Sequence, residues 1–210
     1  MSHIEDPVRG WLRELAEPQG DAVLAAMHAE AAEKDFPIVG PEVGRLLFQL
    51  ATVSGAKRIF ELGSGFGYST LWFARAVGDD GRVYHTDGSK ENTEKAREYL
   101  NEAGLLPRVV FSTGDAVDSL KATPGEFDIV FMDIDKHGYP GAYRAFKNRV
   151  KVGGLVIVDN LIWSGKVARG VDDPDTDGIR EYLKLMWNDP NFVSSLMPVR
   201  DGVGVSLRIA

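Results

Sequence analysis

From residue 57 onward, short apolar runs recur between longer amphipathic stretches. Arg58–Leu62, Val83–Thr86, Val109–Ser112, Ile129–Met132 and Leu155–Val158 are apolar, rich in β-branched residues and too short for helices, so they read as strands. Ser69–Val77, Lys90–Ala103, Ala116–Lys121 and Tyr139–Val150 lie between them with helical spacing. Strand and helix alternating at this cadence predict a parallel sheet covered by helices on both faces. Before this region the chain is helical up to about Gly55. Gln19–Lys34 is rich in Ala and Glu, and Pro41–Val53 sets Val43, Leu46, Leu47 and Leu50 on one face. At the other end, Phe192–Val199 and Val203–Ile209 flank Arg200-Asp201-Gly202, a hairpin signal. The fold expected is a doubly wound, mostly parallel, seven-stranded α/β sheet ending in an antiparallel hairpin. One domain spans residues 1–210, with 1–55 as a helical N-terminal extension. Ligands of such sheets bind beyond the carboxyl ends of the strands.

Those ends carry unusual residues. The first strand runs into Glu61-Leu62-Gly63-Ser64-Gly65-Phe66-Gly67-Tyr68-Ser69. Gly63, Gly65 and Gly67 let the backbone turn sharply and approach a ligand, although such a turn also serves as a plain connection. Their spacing departs from Gly-x-Gly-x-x-Gly, and the acid before them suits a cationic amino or sulfonium ligand better than a pyrophosphate. The second strand ends at Asp87, placed to accept from ribose hydroxyls or to serve as a turn residue. The third ends at Asp115-Ala116, placed to accept from an adenine amino group or to cap the next helix. Three acids at three successive strand ends fit adenosine recognition.

The fourth and fifth strands end in Asp133-Ile134-Asp135-Lys136 and Asp159-Asn160. Carboxylates at the tips of central apolar strands call for a partner. Two carboxylates and an amide oxygen make a hard ligand set suited to Mg²⁺, with Mn²⁺ or Ca²⁺ as alternatives; the other reading is a pair of helix caps.

Composition narrows the chemistry. The chain has no cysteine, and His3, His28, His85 and His137 lack zinc-motif spacing, so a metal would sit among oxygens. A net charge of −7 disfavours nucleic acid and anionic membranes as partners. No run is long enough to span a bilayer, and the polar, acidic start is unlike a targeting peptide, so a cytoplasmic location is expected.

From about Pro37 to the C-terminus these residues resemble the cation-dependent O-methyltransferases, which include the catechol and caffeoyl-coenzyme A enzymes and small bacterial relatives. The Glu-Leu-Gly-x-Gly-x-Gly-Tyr-Ser loop is shared by many methyltransferases. Asp133-x-Asp135-Lys136 followed by Val158-Asp159-Asn160-x-x-Trp163 is specific to this branch. The resemblance implies a Rossmann-like methyltransferase fold and S-adenosylmethionine as methyl donor, held by Glu61, Gly63, Gly65, Gly67, Ser69, Asp87, Asp115, Ala116 and Asp133. It implies a divalent cation on Asp133, Asp159 and Asn160, and Lys136 as the proton acceptor, with Asp133 also in the catalytic group. Homodimers are common in this family and are expected here. Tyr143 reads as packing or pocket wall, and Asp135 either as orienting Lys136 or, the favoured reading, as a surface charge. Trp163 and the 164–177 segment border the acceptor pocket, the latter either as a mobile loop or as an exposed connection before a helix at Ile179–Trp187.

The activity expected is methyl transfer to a hydroxyl of a small catechol-like or phenolic acceptor. Three alternatives stand beside it: a modified nucleoside in tRNA as acceptor, an NAD-dependent oxidoreductase built on the same glycine loop, and a protein that holds the cofactor without catalysis.

Overall fold

The structure is a computed structural model and describes residues 6–17 and 20–210; His3, Gln19 and the acidic start through residue 5 lie outside the described residues. Three helices come first, α1 (Asp6–Ala16), α2 (Ala22–Glu33) and α3 (Gly40–Val53). The alternating region then runs β1 (Arg58–Leu62), α4 (Tyr68–Ala76), β2 (Arg82–Asp87), α5 (Lys90–Glu102), β3 (Val109–Thr113), α6 (Ala116–Ala122), β4 (Phe127–Met132), α7 (Tyr139–Phe146) and β5 (Val150–Val158). A single helical turn, α8 (Lys166–Arg169), and α9 (Pro174–Trp187) precede the hairpin strands β6 (Phe192–Met197) and β7 (Val203–Arg208).

The seven strands lie in the order β3-β2-β1-β4-β5-β7-β6. The first five are mutually parallel, and β7 inserts antiparallel between β5 and β6. Side chains alternate across a strand, and here both faces are covered. Ile59, Ile129, Phe131 and Ile157 pack into one core with α2, α3, α4 and α5. Phe60, Leu62, Val130, Met132, Val156 and Val158 pack into the other with α6, α7 and α9.

Two expectations need correction. The stretch read as one helix over Tyr139–Val150 stops at Phe146, and Val150 opens β5, which is longer than expected. Lys147-Asn148-Arg149 form a polar turn in which Arg149 N donates to Phe146 O at 2.7 Å, and Val150 is drawn into the sheet by pairing with Phe127 of β4, a long-range contact that local spacing does not show. The helix expected at Ile179–Trp187 starts at Pro174, so of the acidic run Asp172–Asp177 only Asp172 and Asp173 precede it. Asp173 caps α9 by accepting from Thr176 N at 2.9 Å, and Asp175 and Asp177 lie in its first turn, where the helix dipole favours negative charge. Among the described residues no helix is long and apolar enough to cross a membrane.

Candidate active site

A cavity of about 2200 Å³ runs along the carboxyl ends of β1, β2, β3, β4 and β5 and beneath the N-terminal helices. Its first wall is the glycine loop. Gly63, Gly65 and Gly67 all have positive φ, from 51° to 90°. A Cβ at Gly63 would meet the Asp133 carbonyl at 2.4 Å, so the loop lies against the end of β4 as only glycine permits. Asp87 braces the loop from β2: its Oδ2 accepts from Gly65 N at 2.9 Å, while Oδ1 accepts from Ser89 N at 2.8 Å and Asn92 Nδ2 at 3.0 Å.

Beneath the loop Glu61 is fully buried and accepts from Thr70 Oγ1 at 2.5 Å, but its Oε1 has no partner. Burial pushes its carboxyl up to about 7, against the hydroxyls of Ser69, Thr70 and Ser64, which favour the ionised form. Ser69 is buried beside it in the first turn of α4. His85, two residues before Asp87, has its Nε2 3.1 Å from Gly65 O, and burial holds its imidazole down to about 4. With Nε2 donating to that carbonyl, Nδ1 is buried without a partner. Asp115 and Ala116 also line the cavity. Asp115 Oδ1 accepts from Asp118 N at 2.8 Å, so it caps α6 while lying at the cavity edge.

The opposite wall starts where β4 and β5 end side by side. Met132 pairs with Val158, so Asp133 and Asp159 are the next residues of adjacent strands. Asp133 Oδ1 accepts from Lys136 Nζ at 2.7 Å, and Nζ also donates to Ile134 O at 3.1 Å. Nζ lies 5.5 Å from the centre of the Tyr139 ring and 5.6 Å from that of Trp163. Asp159 is 4% exposed and its Oδ1 has no hydrogen-bond partner. Burial, and then the charge of Asp133, drive its carboxyl upward. Asn160 follows with φ of 61°, and Trp163 and Ser164 are also left-handed. Non-glycine residues take this region at a cost, and such strain gathers at functional sites.

An unpaired buried carboxylate oxygen costs roughly 1–3 kcal/mol or more. A bound cation would relieve it, and the side chains of Asp133, Asp159 and Asn160 offer two carboxylates and one amide, a set suited to a hard divalent ion. Among the described residues no three His, Cys, Asp or Glu side chains converge into a metal site, here or elsewhere, so a cation at this place would rest on two carboxylates and the Asn160 amide.

Three positions that shape this wall carry no chemistry of their own and were missed in the sequence. Gly178 in α9 lies against the Lys136 backbone, where a Cβ would meet Lys136 O at 2.3 Å. Asp175 Oδ1 accepts from His137 N at 3.1 Å, tying the same loop to α9. Tyr139 donates to Asp159 O at 2.9 Å. A glycine inside a helical pattern was the available signal for Gly178. Asp135 is exposed, as expected of a surface charge. Tyr143 is buried away from the cavity and donates to Asp189 Oδ2 at 2.5 Å, so it packs. Trp163 and Ser164 line the cavity, and Ser164 N donates to Asp201 Oδ1 at 2.6 Å, which fastens this segment to the β6–β7 turn.

A doubly wound sheet whose strand-end carboxylates face a glycine loop on one side and a lysine–carboxylate pair on the other has the architecture of a group-transfer enzyme. The chain belongs to the O-methyltransferase family, whose model matches residues 16–209. It is 34% identical over 175 residues to the catechol O-methyltransferase of Mycobacterium tuberculosis, covering 83% of this chain and 79% of that protein. It is 32% identical over 179 residues to caffeoyl-CoA O-methyltransferase 5 of Nicotiana tabacum, covering 79% and 75%. An O-methyltransferase from Bacillus cereus, solved in complex with SAH, superposes with a TM-score of 0.87 at 28% identity, covering 96% of this chain and 97% of its own. TomG from Streptomyces achromogenes, solved with SAM, gives 0.88 at 27% identity, covering 97% and 96%.

Proposed function

We propose that this enzyme moves a methyl group from S-adenosylmethionine to a hydroxyl of a small catechol-type or phenolic acceptor. In this reading Asp133, Asp159 and Asn160 hold a divalent cation, Mg²⁺ first among the candidates, and Lys136 takes the acceptor's proton. The observation that carries the reading is the partnerless buried Oδ1 of Asp159, next along the sheet from the Asp133–Lys136 pair. The family, and relatives solved with SAM or SAH, support the donor.

S-adenosylmethionine supplies an electrophilic methyl on a sulfonium, which leaves as a neutral thioether. A divalent cation supplies acidity to the acceptor hydroxyl and a fixed direction for its oxygen.

The chain's own residues do the rest. The glycine loop admits the donor backbone-close, Glu61 and Ser69 lie beneath it, and Asp87 and Asp115-Ala116 stand at the ribose and adenine ends. Asp133 borders both halves of the cavity, so it holds the donor and acceptor regions in register. Lys136 acts as the neutral amine: its Nζ, placed by its hydrogen bond to Asp133 Oδ1, receives the hydroxyl proton and becomes the ammonium. Holding oxygen, methyl carbon and sulfur in line supplies much of the rate gain.

The test is turnover of a catechol panel with Mg²⁺ or with EDTA, in the wild type and in Asp159→Ala. Mg²⁺-dependent transfer that Asp159→Ala abolishes supports the reading. Transfer unchanged by EDTA and by the substitution removes the cation from the reaction.

A further inference from the structure

The cavity is electrostatically polarised, although the chain as a whole is acidic. At its strand-end side Asp87, Asp115, Asp133, Asp135 and Asp159 outnumber Lys121, Lys136 and Arg144, whereas on its far wall, formed by the N-terminal helices and the β6–β7 turn, Arg9, Arg13, Arg45 and Arg200 outnumber Asp35, Glu42 and Asp201. Each guanidinium is held by backbone carbonyls. Arg45 Nε donates to Ala16 O at 2.7 Å and its NH2 to Glu17 O at 3.2 Å. Arg200 NH1 donates to Ile38 O at 2.7 Å. Among the described residues neither makes an ion pair with a carboxylate. Asp35, Glu42 and Asp201 share this wall, but none of them pairs with either guanidinium; Asp201 accepts from Ser164 N at 2.6 Å.

Arg200 is also placed at a cost. It is a non-glycine residue with φ of 49°, at the tip of the hairpin. Its guanidinium lies over Gly40, where a Cβ would meet NH1 at 2.4 Å. A glycine at 200 would relax the backbone, yet an exposed arginine stands there and points a charge along the cavity wall. Finally, about 2200 Å³ exceeds the roughly 300–1,000 Å³ of an ordinary small-molecule site, which leaves room beyond the donor and a bare diol.

We propose that this wall is an anion subsite with Arg200 as its specificity-determining residue, so that the acceptor carries an acidic group remote from its reacting hydroxyl. The inference rests on the methyl-transfer reading only in calling the ligand an acceptor. Carboxylate and phosphate share the chemistry a guanidinium recognises.

The test is calorimetry on the full chain saturated with S-adenosylhomocysteine and Mg²⁺. The ligands are 3-(3,4-dihydroxyphenyl)propanoate, its uncharged amide, and 2-(3,4-dihydroxyphenyl)ethyl phosphate; 3-phenylpropanoate and its amide serve as diol-free probes. Charged ligands are expected to bind about tenfold tighter than the amides, by an amount that shrinks with added salt. Tighter binding of the phosphate than of the carboxylate would identify the former as the acidic group. Arg200→Gly, which suits the left-handed backbone and so guards against misfolding, should abolish the preference, and Arg200→Lys should keep part of it. Equal affinity of acid and amide, no binding of either acid, or a preference that survives Arg200→Gly would overturn the proposal. If the acids bind through Arg200 but no diol is methylated, the subsite stands and the methyl-transfer reading falls.

Discussion

Lys136 Nζ donates to Asp133 Oδ1 at 2.7 Å across three residues of chain, with 11% and 25% of the two side chains exposed. The pair joins the end of a central strand to the loop before α7, and the rings of Tyr139 and Trp163 restrict where Nζ can go. A proton acceptor must already be in place when the hydroxyl is. Lys136→Ala should therefore lower kcat by about 10²–10⁴-fold, the usual worth of a positioned acid–base group, with little change in donor affinity. Stopped-assay kinetics and donor calorimetry on one preparation check both halves. A variant that keeps its kcat would make the lysine a structural partner of Asp133 only.

Gly178 sets the position of that loop from outside the cavity. Its Cβ would collide with the Lys136 carbonyl, and backbone on both sides cannot yield cheaply. Gly178→Ala should cost about 1–3 kcal/mol by overpacking and lower kcat more than it raises the acceptor KM. Thermal unfolding together with a kcat and KM determination reads this, since a purely structural defect would leave kcat per folded molecule unchanged.

Two glycines of the cavity wall should differ in their answer to the same change. Gly63→Ala places a Cβ 2.4 Å from Asp133 O at φ of 83°. It should destabilise by at least about 1–2 kcal/mol and weaken donor binding. Gly88→Ala meets nothing within 4 Å and should stay within about 0.5 kcal/mol of wild type. Denaturant midpoints of the two variants decide this.

His85 and Glu61 make stability depend on pH in opposite directions. The imidazole goes from 6.5 to about 4 on folding, so its contribution is fully present above pH 6.5 and is lost as pH falls through about 4. The carboxyl goes from 4.5 to about 7, so its contribution is present below pH 4.5 and is lost as pH rises through about 7. Between pH 4.5 and 6.5 the two slopes cancel. His85→Gln, which can still donate to Gly65 O, leaves the Glu61 slope alone. Relative to wild type it should gain about 2–3 kcal/mol between pH 6.5 and pH 4.5. Urea unfolding at those two pH values measures it, and a constant difference would mean that His85 already titrates normally in the fold.

The parallel strands and their order of chemistry could be read from the sequence because apolar runs and strand-end acids are local features. The Asp133–Lys136 pair is local too. What could not be read depends on contacts between distant segments. Gly178 looks like an ordinary helical glycine until α9 is seen against the Lys136 loop. Arg200 looks like a turn residue until the hairpin is found reaching Ile38, 162 residues away. The helix that ends at Phe146 gives way to a polar turn, and Val150 joins the sheet through its pairing with Phe127, a contact between distant segments that spacing along the chain does not carry.

The most direct test of the account is a single assay: purified protein, S-adenosylmethionine carrying a labelled methyl group, and catechol with Mg²⁺, with label followed into the organic product. The account predicts methylated catechol and S-adenosylhomocysteine in equal amounts, formed only when donor and acceptor are both present. Tight donor binding without label in any catechol or phenol would contradict the assigned acceptor, and failure to bind the donor at all would contradict the function itself.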